Sequence, residues 1–197
     1  MPNWCLTTYK CIGEKKEVFK LYNTIKKMDR GKESVLPNGF GKLWLGNLVH
    51  LLGGDWEKIH CRGEITSYCY RAREDCLVID MMTAWTEPCD TRHFIESVFP
   101  GIKIYYTAEE LGNEVFCTND SSGEIFPERF LLDYEDGTQY FNTLEGAVKF
   151  ISSEIGQPIK ATNTDDVNHV INEWVFKNRD DDFVFQLYEM EVVDDYY

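Results

Sequence analysis

Apolar and polar positions along this chain switch between two periods, one of strands and one of helices. Residues 5–12 are rich in β-branched and aromatic side chains and stop at Gly13, which predicts a first strand. From 14 to 28 the period is helical, with Val18, Leu21, Tyr22, Ile25 and Met28 on one face. Asp29-Arg30-Gly31 ends that helix, and the polar stretch 32–38, with Pro37, reads as a loop. A second helix is expected over 40–52, striped by Leu45, Leu48, Val49 and Leu52 and stopped by Gly53-Gly54. Residues 62–72 alternate as a strand. In 76–85, Leu77, Ile79 and Met81 alternate with Val78, Asp80 and Met82, so apolar side chains occur on both sides. That predicts a central strand covered on both faces. Asp90 or Thr91 is expected to cap a short helix reaching Phe99, and 102–107 forms the next strand.

The order β-α-(insertion)-β-β-α-β predicts an α+β fold. Specifically, it is the ferredoxin-like (split βαβ) order, an antiparallel sheet with a helical insertion at about 32–60 after the first helix. Strands are then expected at 114–118 and 126–134 around a polar turn at 119–123. Asp136-Gly137 offers a further hairpin turn before 139–141. Two helices follow. Leu144, Ala147, Val148, Ile151 and Ile155 stripe one, and Val167, Val170, Ile171, Trp174 and Val175 the other, with Thr164 as the expected cap of the second. A last strand is expected over 183–192. The expected organisation is a core over 1–135 and an acidic C-terminal α/β extension over 136–197, packed as one unit.

Charge changes this picture. Residues 1–100 hold 14 Lys+Arg against 13 Asp+Glu, while 101–197 hold 6 against 21, a balance of −15 in a chain of −14 overall. An acidic half repels phosphate backbones and anionic membranes and attracts basic partners. The seven cysteines are odd in number and none is spaced C-x-x-C. They predict reduced, partly buried thiols in a cytoplasmic protein rather than a disulfide framework. No signal-peptide pattern and no membrane span is expected, since the longest apolar-rich segment, 43–52, is interrupted by Gly46, Asn47 and His50.

Signatures of chemistry are sparse. The four histidines stand at no metal-ligand spacing, no G-x-S-x-G elbow occurs and no glycine loop suits a phosphate. No catalytic residue, metal or cofactor is therefore assigned. Glu109, Glu110, Glu114, Asp120, Glu124 and Glu128 are able to pair across a hairpin with Arg129 nearby, but a solvated hairpin tip is the simpler reading. Asp120-x-Ser122-x-Glu124 opens like a calcium loop, yet its glycine falls at 123 and position 131 is Leu. Lys16, Lys20 and Lys27 share one face of the first helix. With Tyr9, Tyr68, Tyr70 and Trp85 on the sheet, they raise single-strand nucleic-acid binding, which the net charge opposes. Asp180, Asp181 and Asp182, with Asp194 and Asp195 beyond them, form a candidate docking surface for a basic protein.

A resemblance accompanies these patterns. The opening Met1-Pro2-Asn3-Trp4-Cys5, the segment Thr83-Ala84-Trp85-Thr86-Glu87-Pro88 and Phe99-Pro100-Gly101 resemble the YubB-like ferredoxin-like family of bacterial plasmids, phages and integrative elements. Trp44-Leu45-Gly46-Asn47 with Gly53-Gly54-Asp55-Trp56, and Thr118-Asn119-Asp120 with Phe126-Pro127-Glu128-Arg129, resemble a branch of it from Bacteroides-like bacteria. The likeness covers about residues 1–135. It implies a ferredoxin-like core and no activity.

The expected function is that of a non-enzymatic, acidic accessory protein of a mobile element or its host, binding a basic protein through the C-terminal half. The alternative is a small hydrolase or small-molecule-binding protein with a pocket between the sheet and the 40–52 insertion, where Trp85, Glu87 and Arg129 are the first candidates. Nothing in the pattern sets an oligomeric state.

Overall fold

The computed structural model describes residues 3–37, 39–135, 137–179 and 183–194. These divide into two compact units, 3–119 and 120–194. Unit 1 contains β1 (Trp4–Gly13), α1 (Lys15–Arg30), α2 (Leu45–Leu51), β2 (Gly63–Arg71), β3 (Cys76–Ala84), α3 (Cys89–Val98), β4 (Ile102–Glu110) and β5 (Val115–Thr118). Unit 2 contains β6 (Phe130–Tyr134), β7 (Gly137–Phe141), α4 (Leu144–Ile155), α5 (Thr164–Asn178), β8 (Phe185–Glu189) and the two-residue β9 (Glu191–Val192). Among the described residues no helix is long and apolar enough to cross a membrane.

In unit 1 the strands lie in the order β2-β3-β1-β4-β5, each antiparallel to its neighbours. Alternation along β1 buries Cys5, Thr7, Tyr9 and Cys11. The apolar stripe of α1, Val18, Leu21, Ile25 and Met28, is buried as its spacing predicts, and α1 packs on β1 and β3 while α3 packs on β4. In β3 the set Leu77, Ile79 and Met81 is buried, and its alternates Val78, Asp80 and Met82 are half-buried. Cys5, Cys11, Cys61, Cys76 and Cys117 are buried free thiols, whereas Cys69 and Cys89 are exposed.

Several local expectations are corrected. The insertion helix is shorter than 40–52. The Leu43 carbonyl accepts from Ile65 N at 2.9 Å and Trp44 bridges to Glu64, so 43–44 are drawn alongside β2 and the helix begins only at Leu45. Neither Asp90 nor Thr91 caps α3. Pro88 occupies the cap position, and the Thr91 hydroxyl instead donates to the His60 carbonyl at 2.8 Å. No hairpin is centred on 119–123, because β5 pairs with β4 and β6 pairs with β7 and β8. The start of the expected 126–134 strand is irregular, since Ile125 and Phe126 give their N–H groups to Asp120.

Unit 2 has a sheet of order β7-β6-β8, covered by α4 and α5 around Leu132, Ala147, Ile151, Val167, Ile171 and Leu187. The turn residue Asp136 lies outside the described residues, and the β6–β7 pairing around it is antiparallel. Helix α4 is capped by Thr143, whose hydroxyl accepts from Gly146 N at 3.1 Å, and is closed by Gly156, left-handed with φ 70°. The cap of α5 is Asn163, accepting from Asp166 N at 2.8 Å, and not Thr164, whose hydroxyl donates to Glu189 at 2.7 Å. The last strand breaks at Met190, whose N–H goes to the Arg129 carbonyl at 2.8 Å.

Candidate functional site: a tryptophan-lined cleft

Within unit 1 the insertion and the ends of β1, β2 and β3 enclose a cleft of about 820 Å³. Its apolar wall is Trp4, Phe40, Trp44, Trp56, Ile59 and Ala84, and its polar rim is Glu57, Lys58, His60, Arg62 and Glu64. Trp44 is the fixed element. Its backbone is pinned to Glu64 at the entry to α2, and its ring lies against Gly46, where a Cβ would stand 2.3 Å from the indole. Only glycine admits that approach. Around Trp44, Phe40 lies 5.2 Å away at 30° between planes, and Trp56 lies 5.4 Å away edge-on at 72°. Trp4 enters from β1, in register with Ala84 of β3. Trp44 is only 8% exposed, whereas Trp4 is 50% and Phe40 63% exposed, so a buried floor carries an open aromatic mouth.

The rim is held by its own hydrogen bonds. Asp55 accepts from Glu57 N at 3.1 Å, and its carbonyl takes Lys58 N and Ile59 N at 3.0 Å each. Lys58 Nζ returns to Asp55 at 2.9 Å, which holds the Asp55 carboxyl below and the Lys58 ammonium above their ordinary values. Behind the rim, the Arg62 carbonyl accepts from Ala84 N at 3.0 Å. Cys61 also lines the cleft, and burial pushes its thiol up, the wrong direction for an attacking thiolate. The arrangement suits binding of a flat or apolar group by stacked rings, with carboxylates and cations at the rim to orient it.

The residues singled out from sequence are placed elsewhere. Trp85 is exposed at the turn after β3, with φ 73° and its N–H on the Asn3 carbonyl at 2.9 Å; it adjoins the cleft residue Ala84 without lining the cleft. Glu87 is buried and accepts from the Tyr9 hydroxyl and, at 3.0 Å, from Arg92 Nε. Arg129 belongs to unit 2, where it donates to the Asp120 carbonyl. Asp180, Asp181 and Asp182, with Asp195, lie outside the described residues.

Asp120 is a turn organiser. One carboxylate oxygen takes Ser122 N, Ser122 Oγ and Gly123 N, and the other takes Ile125 N and Phe126 N at 2.9 Å each. Among the described residues no group of three His, Cys, Asp or Glu side chains is arranged to hold a metal. The tyrosines expected on an open sheet surface lie on the helix side. Tyr9 is fully buried, and Tyr68 and Tyr70 stand 6.0 and 5.7 Å from Tyr22 of α1.

Trp4, Phe40, Trp44 and Trp56 were not legible as a set, because they converge only through the β1–β3 register and the fold of the insertion. One signal was available: four of the five tryptophans, at 4, 44, 56 and 85, fall in the first half of the chain. Comparison of the chain with known protein families, with curated proteins and with solved structures finds no match in any of the three.

Proposed function

We propose that the protein is a non-enzymatic interaction protein whose recognition site is the tryptophan-lined cleft of unit 1. The carrying observation is the convergence of Trp4, Phe40, Trp44 and Trp56 on one open cleft of about 820 Å³. Half-exposed tryptophan and phenylalanine side chains in a concave site are the anchors that binding surfaces use. The preferred ligand presents an aromatic or other flat apolar group.

We read unit 1 as a ferredoxin-like core. The connection β1-α1-β2-β3-α3-β4 and the strand order β2-β3-β1-β4 support this, with α2 inserted and β5 added beyond β4. We extend the YubB-like resemblance to this unit as well, and with it an origin in mobile elements. Two of the segments that carry it are neighbours: Trp4 opposes Ala84, and Trp85 N–H meets the Asn3 carbonyl.

The test is a titration of the full chain with a panel of indole-, phenyl- and aliphatic-bearing peptides, read by tryptophan fluorescence and by amide shifts. The expected result is saturable binding that shifts the amides of 56–64 and is lost in Trp56→Ala with the fold intact by circular dichroism. Equal binding by Trp56→Ala, or none by the native chain, overturns the proposal.

A further inference from the structure

Unit 2 treats the two edges of its sheet differently. The strand order β7-β6-β8 makes β7 and β8 the outer strands of that sheet. The β8 edge is closed by a side chain. Asn168 of α5 donates to the Leu187 carbonyl at 2.8 Å and accepts from Leu187 N–H at 2.9 Å, taking the place of the next strand's peptide group.

Those two bonds also fix the phase of the sheet. Leu187 points its backbone groups away from β6, so its register partner Leu132 points its own toward β7, where Gln139 faces it. One residue away, the N–H and C=O of Thr138 therefore point outward from the sheet. Among the described residues, strand β7 (Gly-Thr-Gln-Tyr-Phe) lacks the charge, proline and bulge that blunt an edge, and its one outward group with a side-chain partner in view is the Tyr140 carbonyl, which accepts from Gln139 Nε2 at 3.4 Å. The register of β7 with β6 runs unbroken from Tyr134↔Gly137 to Phe130↔Phe141. Thr138, Gln139 and Tyr140 are exposed.

The surroundings are acidic. Residues 120–194 hold 17 Asp+Glu against 5 Lys+Arg, a balance of −12. Near β7, Asp133 stands opposite Thr138, Glu135 follows β6 in the turn, and Glu145 lies in the first turn of α4, which packs on β7.

We infer that the β7 edge takes an extended basic segment of a partner protein as a fourth strand. Main-chain pairing along β7 supplies the attachment, and the flanking carboxylates select lysine or arginine side chains. A second copy of this chain is the poorer occupant, since it brings another −12 against the first. This site shares no residue with the cleft, and the two proposals are tested by different variants.

The experiment uses the full chain and a fluorescent peptide of alternating lysine and valine, followed by anisotropy at low and moderate salt. Two controls accompany it: the same peptide N-methylated at alternate residues, and a glutamate-for-lysine analogue. Thr138→Pro removes the outward N–H of β7 without touching the ladder to β6, and Thr138→Lys leaves the backbone intact while placing a positive charge at the edge. The expected result is binding that weakens with salt, falls about tenfold or more in both variants, and is absent for both control peptides. Equal binding of the N-methylated peptide would reduce the attraction to charge alone and overturn the strand reading, as would unchanged affinity in both variants. Concentration-dependent dimerisation of the native chain that Thr138→Pro abolishes would also overturn it, in favour of a second copy.

Discussion

Arg92 Nε lies 3.0 Å from Oε1 of Glu87, and both side chains are buried. The Tyr9 hydroxyl donates to the same carboxylate oxygen, the Arg92 guanidinium lies 5.0 Å above the Tyr106 ring, and Glu96 stands 4.0 Å from it. One ionic cluster thus ties β1, the turn after β3, α3 and β4 together. Removing one member of such a pair strands the other charge in the core, which costs about 3–5 kcal/mol. Glu87→Ala is therefore expected to destabilise unit 1 by about that amount, and Glu87→Leu combined with Arg92→Met by much less. Urea unfolding of the three chains checks this. A single-mutant loss no larger than the double would mean that the pair is not coupled.

Tyr9 gives the same cluster a pH signature. Burial, then the Glu87 carboxylate, push its hydroxyl well above the ordinary value near 10. The unfolded chain releases this proton near pH 10 while the folded chain keeps it. Its contribution is therefore whole below about pH 10 and declines above it, by about 1.4 kcal/mol per pH unit. Tyr68, pushed up to about 12 by burial and by its bond to Asp29, adds a limb of the same sign. Cys11, raised by burial from an ordinary value of 9.0, starts the decline earlier. Tyr9→Phe should lower stability near neutral pH by about 1 kcal/mol and make the alkaline decline shallower. Urea midpoints measured from pH 8 to 11 test this, and an alkaline limb of unchanged slope in Tyr9→Phe would refute it.

What the sequence discloses here is local periodicity. The stripes of α1, α4 and α5 are legible because each depends on neighbours three or four residues away, and β1 is legible as a strand from its composition, although not which of its faces is buried. The Tyr9–Glu87–Arg92 cluster is not legible, although Glu87 stands out, because Tyr9 is 78 residues from its partner. The cap of α5 is Asn163, one residue before the expected Thr164, because Thr162, Asn163, Thr164, Asp165 and Asp166 are all competent caps. Only the fold shows that Thr164 is engaged by Glu189. The residues at 119–123 do turn, but the hairpin expected across them does not form, for a related reason. These polar residues signal a turn, but not that β5 and β6 pair with other strands.

Gly46 is the lever on the cleft. A Cβ there meets the outer indole atoms of Trp44 at 2.3–2.5 Å, and a side chain yields more readily than backbone. Gly46→Ala is accordingly expected to tilt the Trp44 ring at a cost of about 1–3 kcal/mol, without unfolding unit 1. The edge-on contact with Trp56 would open, and the peptides that bind the native cleft should bind at least several-fold more weakly. Near-ultraviolet circular dichroism and the peptide titration read the two consequences together. Native-like spectra with native affinity would show that the ring is not held by Gly46.

Asp120 organises the segment that leads into β6. Burial raises its carboxyl, but the Ser122 hydroxyl and the N–H groups of Phe126, Ile125 and Gly123 outweigh burial and hold it below its ordinary value of 3.8. Its contribution is therefore present above about pH 4 and is lost as the pH falls through the lower, folded value. Asp120→Asn turns one oxygen into an amide that faces donors in either orientation, since both oxygens accept backbone N–H groups. The loss at neutral pH should be about 2 kcal/mol or more, because at least one buried N–H is left without its acceptor. The gap between native and variant should narrow as the native carboxylate protonates. Hydrogen exchange of the Phe130–Tyr134 amides, measured at pH 6 and again near pH 3, separates the two terms. Faster exchange in the variant at the higher pH with convergence at the lower is the expected pattern. A gap that does not change with pH would assign the effect to the shape of the side chain rather than to its charge.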